Sequence, residues 1–455
     1  MDRSISAERI RRMRKALWGA VLLYIGFLFL TVLIRSVLIG VTFDETHTYL
    51  AFGRADLFRW QTLMDLFGEE HSVANNHWLN SILINLLQRI VRVEYNEFLI
   101  RLPSLLIFFL YIVGTAAGYR KGYYSLTALI FLISNYYILE YYGLARGYGM
   151  ANTWVFFAYL SLLKWEKSDY TRPKYLNWLM LSMSLAVLSN TVALLLYPSF
   201  AAVGLYRLIQ HRQWKPFFRR CALPLVLFLA FSLVMLKYHM NISLPGKPLY
   251  TGGDESFFIN VVRGYVQTFI SAEKITTGLA LGALLLICGC LAVSFRDLLK
   301  RNGPAMLLLF VLVNLLMQLL MHKGYIATRV LIPFYAFVVL SLQELFAMAL
   351  PKIKEILSRR FRRFSPARMD SAVRWIQVVA CAAAVILCVS RIDLYSTYDD
   401  SMDFKYKNWV IGEELTGIDH PLDMYPNMAQ TFYEQKLEKL KTDYTEEMKK
   451  WGRTE

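Results

Sequence analysis

The feature that most constrains this chain is a series of long apolar runs almost free of charge. ALWGAVLLYIGFLFLTVLI begins at Ala16, and ALGALLLICGCLAVSF begins at Ala280. Soluble domains interrupt their apolar residues at the helix or strand period, and these runs do not. About 20 apolar residues in a helix match the hydrocarbon thickness of a bilayer. Backbone polar groups find no water there, so each run has to bond internally as a helix. The chain therefore reads as an all-α integral membrane protein.

The 50 Lys and Arg residues exceed the 34 Asp and Glu residues, a net charge of +16. Such a charge can mark a nucleic-acid binder, but its placement argues otherwise. The basic residues gather in short stretches between apolar runs, on alternate sides, as the positive-inside rule requires. No zinc-finger, β-ribbon or RNA-binding signature accompanies them, so no nucleic-acid partner is expected. Cys221, Cys288, Cys290, Cys381 and Cys388 lie within or at the edge of apolar runs. Their spacing fits neither a disulfide framework nor a zinc site, which leaves small packing residues. The basic arm at 1–15 leads into a first run too long for a signal-peptide core and without a small-residue cleavage site, so it is expected to be retained.

Eleven spans are expected, near 16–39, 99–117, 123–139, 148–163, 176–188, 192–209, 221–236, 277–295, 305–321, 330–350 and 375–390. Charge settles two ambiguous stretches. Basic clusters flank 176–208 on both sides, so an even number of crossings separates them and the stretch is a hairpin with its tip at Ser189-Asn190-Thr191. Counting 78–91 as a span would put the basic N-terminus and Arg120-Lys121 on opposite faces. It reads instead as a juxtamembrane helix in the outer interface. The N-terminus is then cytoplasmic in a multi-pass plasma (inner) membrane protein. Residues 16–390 form the transmembrane domain, with outer loops at 41–98, 140–147 and 239–276 and a further outer turn at 322–329. Residues 391–455 make a small extracytoplasmic tail.

The residues suited to chemistry fall on that outer side. VTFDETHTY places Asp44 and Glu45 directly after the first span. A carboxylate partly shielded from water can act as a general base; the plain alternative is a solvated acidic pair. VANNHWLN brings Asn75, Asn76, His77 and Asn80 to the start of the juxtamembrane helix, where an asparagine can simply cap. Arg101 precedes Pro103 near the outer end of the second span and can also be a snorkelling anchor. LEYYGLARGYG crowds Glu140, Tyr141, Tyr142, Arg146 and Tyr148 into one turn. Arginine can grip a phosphate with two hydrogen bonds, and tyrosine rings can stack on a sugar. MHKGYIATR adds His322, Lys323, Tyr325 and Arg329 at the mouth of the tenth span. An interfacial aromatic belt with basic anchors would explain part of this pattern.

Taken in order, the aspartate-glutamate pair after the first span, H-x-L-N, R-L-P-S and the A-R-G-Y turn resemble the GT-C glycosyltransferases. The similarity is greatest to the protein O-mannosyltransferases and the bacterial lipid A aminoarabinose transferases. It covers roughly the first 210 residues, with an echo at Arg329. The resemblance implies a GT-C-like fold with juxtamembrane helices in the first outer loop. It also implies a hexosyl or pentosyl transfer from a polyprenyl-phosphate sugar to a lipid, glycan or protein acceptor during cell-envelope glycan synthesis. It makes Asp44 the catalytic carboxylate with Glu45 beside it, and His77 a cationic or polar group for the donor phosphate. Arg101 and Arg329 match the family's arginine before the second-span proline and its late basic residue. Asn76, Glu140, Tyr142, Arg146, Tyr148 and Lys323 complete the expected substrate site. No cofactor is required, although Asp44 and Glu45 can hold a divalent cation as some members do. The chain departs from the family where the usual histidine-proline-proline stretch reads NNHWLN, and where the second outer loop carries Arg146 in place of an acid. These mark a divergent subfamily. The rival reading is a transporter or flippase for lipid-linked glycans, which would place charge at mid-membrane. A non-catalytic assembly subunit would tolerate loss of Asp44.

Overall fold

The computed structural model describes residues 2–49, 52, 77–91, 96–242, 251–252, 277–321, 325–326, 328–360 and 366–395. Asn75, Asn76, His322, Lys323 and the tail beyond Tyr395 lie outside the described residues. The first part of the chain forms α1 (Asp2–Leu38), α2 (Phe43–Thr48), α3 (Trp78–Val91), α4 (Glu97–Arg120), α5 (Leu126–Ile133), α6 (Tyr136–Glu140), α7 (Gly147–Glu166) and α8 (Lys174–Ser189). A 3-10 segment at Thr191–Leu196 leads into α9 (Tyr197–Gln210), and α10 (Trp214–Ile242) follows. The remainder forms α11 (Thr277–Ser294), α12 (Asn302–Met321), a 3-10 segment at Thr328–Phe334, α13 (Tyr335–Arg360) and α14 (Pro366–Ser390). Among the described residues, the extended pairing is a two-residue antiparallel pair, Thr251 opposite Ile326 and Gly252 opposite Tyr325. It joins the long third loop to the stretch just before Arg329.

Among the described residues, six helical stretches are long and apolar enough to cross a membrane: Arg11–Leu38, Glu97–Arg120, Thr191–Gln210, Trp214–Ile242, Arg329–Arg360 and Ala367–Ser390. Each carries large apolar side chains on its outer surface, such as Leu23 and Leu30 on α1, Leu223 and Val226 on α10, and Trp375 and Val379 on α14. Apolar patches of that extent are poorly tolerated in water and suit lipid. α1 is 37 residues long. At 1.5 Å per residue that is about 55 Å, so the basic arm continues the first span as one helix beyond a bilayer core of about 30 Å.

Side-chain caps punctuate the helices. Asn96 accepts from the Leu99 N–H to open α4, and Ser125 accepts from the Ala128 N–H to open α5. The run at 123–139, expected as a single span, is two helices. α5 stops at Ser134, and Asn135 accepts from the Ile138 N–H to start α6. The amide of Asn135 offers the chain a new N-terminus, which local capping favours over continuing the helix. Asn190 stands at the expected hairpin tip: its backbone is extended, and its side chain accepts from the Val192 N–H. α3 occupies 78–91 as expected and buries one stripe, Trp78, Ser81, Ile84 and Asn85, leaving Leu86 and Ile90 exposed. α7 sits at the centre, buried along most of its length, with α3, α4, α8, α13 and the Thr328–Phe334 segment packed around it.

Candidate active site

The site begins where α1 ends. Thr42 and Glu45 form a reciprocal capping box: the Thr42 hydroxyl accepts from the Glu45 N–H at 3.3 Å, and Glu45 Oε2 accepts from the Thr42 N–H at 3.1 Å. This T-x-x-E signal is present in the sequence and was missed there. It fixes the short α2 and turns Glu45 inward, where Arg101 meets it at 2.8 and 2.6 Å. The remaining Arg101 donors reach the carbonyls of Ser36, Ile39 and Gly40 at 3.0, 2.8 and 2.9 Å. A guanidinium has five N–H bonds, and these contacts account for all of them. Arg101 therefore ties the end of α1 to α2 and α4 and has no donor to spare for a substrate. Glu45 Oε1 also accepts from the Ala145 N–H at 2.7 Å. Burial alone would push the Glu45 carboxyl up, but the charge and hydrogen bonds of Arg101, with the two backbone donors, hold it below the ordinary carboxylate range. Glu45 is thus a fixed anion that positions its neighbour.

That neighbour, Asp44, is buried and faces two arginines from distant parts of the chain. Arg146 Nη2 lies 2.6 Å from Asp44 Oδ2, and Arg329 Nη1 donates to the same oxygen at 3.2 Å. Arg146 ends the turn between α6 and α7, and Arg329 lies in the 3-10 segment before α13. The Arg146 guanidinium also lies 5.4 Å from the centre of the Tyr148 ring. His77, at the start of α3, packs edge-on against Tyr148 with ring centres 4.8 Å apart. Gly147 makes this closeness possible: a Cβ there would sit 1.9 Å from the Ser189 carbonyl oxygen and 2.8 Å from His77 Cβ.

The resemblance makes His77 a cationic or polar group for the donor phosphate, and its surroundings favour the polar, uncharged form. Burial, then the nearby Arg146 and, more weakly, Arg329, push its pKa down to about 3 against the opposing pull of Asp44 and the Ser189 carbonyl. The ring is neutral at ordinary pH. Its Nδ1 lies 3.1 Å from the Ser189 carbonyl oxygen, so Nδ1 carries the proton and donates. Nε2 is then a buried lone pair that meets no partner among the described residues.

Asp44, His77, Arg146, Tyr148 and Arg329 converge from four chain segments. Other expected site residues are engaged elsewhere. Glu140 pairs with Arg35 at 3.2 Å, and Arg35 also donates to Tyr136 Oη at 2.6 Å and to the Asp393 carbonyl at 2.9 Å. Arg35 is a charge inside an otherwise apolar run, a signal that the span assignment passed over. Tyr142 points into the helix core, stacked on Tyr111, with its hydroxyl 2.8 Å from Thr153 Oγ1 and accepting from Asn152 at 3.3 Å. A divalent cation does not suit the residues present: both Glu45 oxygens and Asp44 Oδ2 face guanidiniums, whose charge repels it. Searches with the chain against protein-family models and against curated proteins return no match.

Proposed function

We propose that the chain is a GT-C-type membrane glycosyltransferase that moves a sugar from a polyprenyl phosphate to an acceptor hydroxyl on the extracytoplasmic face, with inversion. The observation that carries this reading is the buried Asp44 held between Arg146 and Arg329 beside His77 and Tyr148. In the eleven-span arrangement read from the charge pattern, every one of these residues belongs to the outer face of the membrane.

A lipid phosphate would compete with Asp44 for the two guanidiniums, since arginine binds phosphate and carboxylate alike. Donor binding would therefore draw Arg146 and Arg329 onto the phosphate and leave the Asp44 carboxylate to receive a proton. The acceptor O–H gives that proton to Asp44 as its oxygen attacks the anomeric carbon. The bond from that carbon to the phosphate oxygen breaks, and the electron pair leaves with the polyprenyl phosphate. The two arginines meet the charge that grows there, and fixed charges aimed at a developing anion are a large source of rate enhancement. Glu45 and Arg101 hold α2 so that Asp44 keeps its place. The chemistry routes through no metal.

The experiment uses purified protein in nanodiscs with a panel of radiolabelled polyprenyl-phosphate sugars and membrane extract, comparing wild type with Asp44→Asn. Release of sugar by wild type and its loss by a factor of about 10² to 10⁴ in the mutant is the expected result. Turnover that survives the substitution removes Asp44 from the role of base. Wild-type protein that moves intact lipid-linked sugar between leaflets, without cleaving it, would replace the enzyme with a flippase.

A further inference from the structure

Two side chains on one face of α3 leave only hydrogen-bond acceptors unpartnered. His77 Nδ1–H donates to the Ser189 carbonyl at 3.1 Å, and Asn80 Nδ2 donates to the Ala145 carbonyl at 2.7 Å. These bonds fix the imidazole tautomer and the orientation of the amide. What remains on each is an acceptor, His77 Nε2 and Asn80 Oδ1, and neither meets a partner among the described residues. Both side chains are essentially buried, at 2% and 0% exposure. A buried acceptor without a donor costs about 1 to 3 kcal/mol, so a ligand that donates would be held there.

The chemistry of that ligand follows from the polarity of these atoms. A phosphate oxygen carries lone pairs, and a second lone pair facing it is repulsive. A hydroxyl donates, and a sugar carries several. The cations and the acceptors lie side by side, because Arg146 and His77 both contact the Tyr148 ring. We propose that His77 Nε2, with Asn80 Oδ1 one turn along, binds ring hydroxyls of the sugar carried by the donor, while Arg146 and Arg329 bind the phosphate. The donor sugar is chosen over the acceptor because it is bonded to the phosphate and must lie next to the group that holds it. This division rests on the glycosyltransferase reading and assigns His77 a positioning role within it.

His77→Asn tests the division without dismantling the site. An asparagine amide nitrogen falls near the position of Nδ1 and can keep the bond to Ser189, while the acceptor at Nε2 is gone. Binding of two probes would be measured in nanodiscs, a bare polyprenyl phosphate and polyprenyl-phosphate mannose or glucose. The expected result is an unchanged affinity for the bare phosphate and about a five- to tenfold loss for the sugar donor, the value of one neutral hydrogen bond. Equal losses on both probes would make His77 a phosphate ligand and overturn the division. No loss on either, or a rise only in the KM of the acceptor, would remove the donor sugar from His77. Wild-type protein that binds neither probe would overturn the glycosyltransferase reading as well, an outcome distinct from the other three.

Discussion

The two ends of α7 each hold a buried polar cluster, and the two are built on opposite terms. At the N-terminal end, Asp44, His77, Arg146 and Arg329 meet with acceptor atoms left over on His77 and Asn80. At the C-terminal end, Tyr159 donates to Glu344 at 2.8 Å, the Gly303 N–H donates to the same carboxylate at 3.1 Å, and Glu166 accepts from Asn302 at 3.0 Å. Arg207 donates to Asn302 Oδ1 at 2.7 Å, to Gln210 at 2.6 Å and to the Leu299 carbonyl at 2.8 Å. None of those side chains holds a buried polar atom without a partner among the described residues. The α7 residues of the two clusters, Tyr148 at one end and Tyr159 and Glu166 at the other, stand about 17 to 27 Å apart along the helix, within a bilayer's hydrocarbon thickness of about 30 Å. A closed network locks helices together and asks for nothing more, whereas an open one at the same depth has a stability cost that a ligand can offset.

The largest expected effect breaks the open cluster. Arg329→Met should lower sugar transfer per folded molecule by about 10²- to 10³-fold, the usual effect of removing one charge-stabilising donor. Arg207→Met in the closed cluster should cost stability, about 1.5 to 3 kcal/mol for hydrogen bonds to a charged group, with turnover per folded molecule unchanged. Steady-state kinetics paired with thermal unfolding separates the two. If both substitutions act mainly on stability, the clusters are alike and the site assignment falls.

Glycines sharpen the contrast. Gly147→Ala would press a methyl group to 1.9 Å from the Ser189 carbonyl oxygen, a backbone atom that cannot step aside. Overpacking of this kind costs about 1 to 3 kcal/mol and would shift Arg146 and His77 together, so transfer should fall at least tenfold. Gly303→Ala meets the Tyr159 hydroxyl at 2.2 Å and the Glu344 carboxylate at 3.0 Å, both ends of side chains that can turn away. Its cost should be smaller and confined to stability. Unchanged transfer in Gly147→Ala would show that the contact of the turn with α8 is irrelevant to the site.

Much of this was legible before any coordinates. Among the described residues the apolar runs fall on helices, the chain breaks at Asn190 where the hairpin tip was expected, α3 forms over 78–91, and Asp44, His77, Arg146, Tyr148 and Arg329 do come together. The partners within the cluster were not legible. Sequence offers two adjacent carboxylates with no means of telling which one faces Arg101 and which faces Arg146, because that depends on the Thr42–Glu45 box turning α2. Tyr142 and Tyr148 likewise look alike in LEYYGLARGYG, yet the turn sends one into the core and the other to His77. The charge state of His77 depends first on its burial and then on two arginines that lie 69 and 252 residues further along the chain, neither of which a local pattern encodes.

A pH titration reads the open cluster directly. The folded His77 takes a proton only near pH 3, whereas the unfolded ring takes it near its ordinary 6.5. The unfolded state therefore binds more protons between those values, and stability is fully present above pH 6.5 and falls as the pH drops towards 3. The slope is about 1.4 kcal/mol per unit, so moving from pH 6.5 to 5 should cost about 2 kcal/mol. Thermal unfolding of wild type and His77→Asn across that range checks it, since the variant should lose this part of the pH dependence. Parallel curves would mean that the ring titrates in the folded protein as it does in the unfolded chain, so that it could carry charge below its ordinary 6.5 and would return as a candidate phosphate cation.

The smallest expected effect tests whether the closed cluster speaks to the site at all. Glu166 contacts Arg301 at 3.3 Å, but the two side chains are 21% and 58% exposed. Solvent screening limits such a pair to less than about 1 kcal/mol, and Glu166→Gln keeps an oxygen that can accept from Asn302. Stability should change by no more than that, and transfer should not change. The substitution lies on the same helix as Tyr148, so a fall in transfer at unchanged stability would mean that α7 carries a displacement from one end to the other. The contrast between a closed structural network and an open chemical one would then give way to a single coupled element. If transfer is unchanged, α7 is a rigid post, and the two clusters differ because only one of them was built to meet something else.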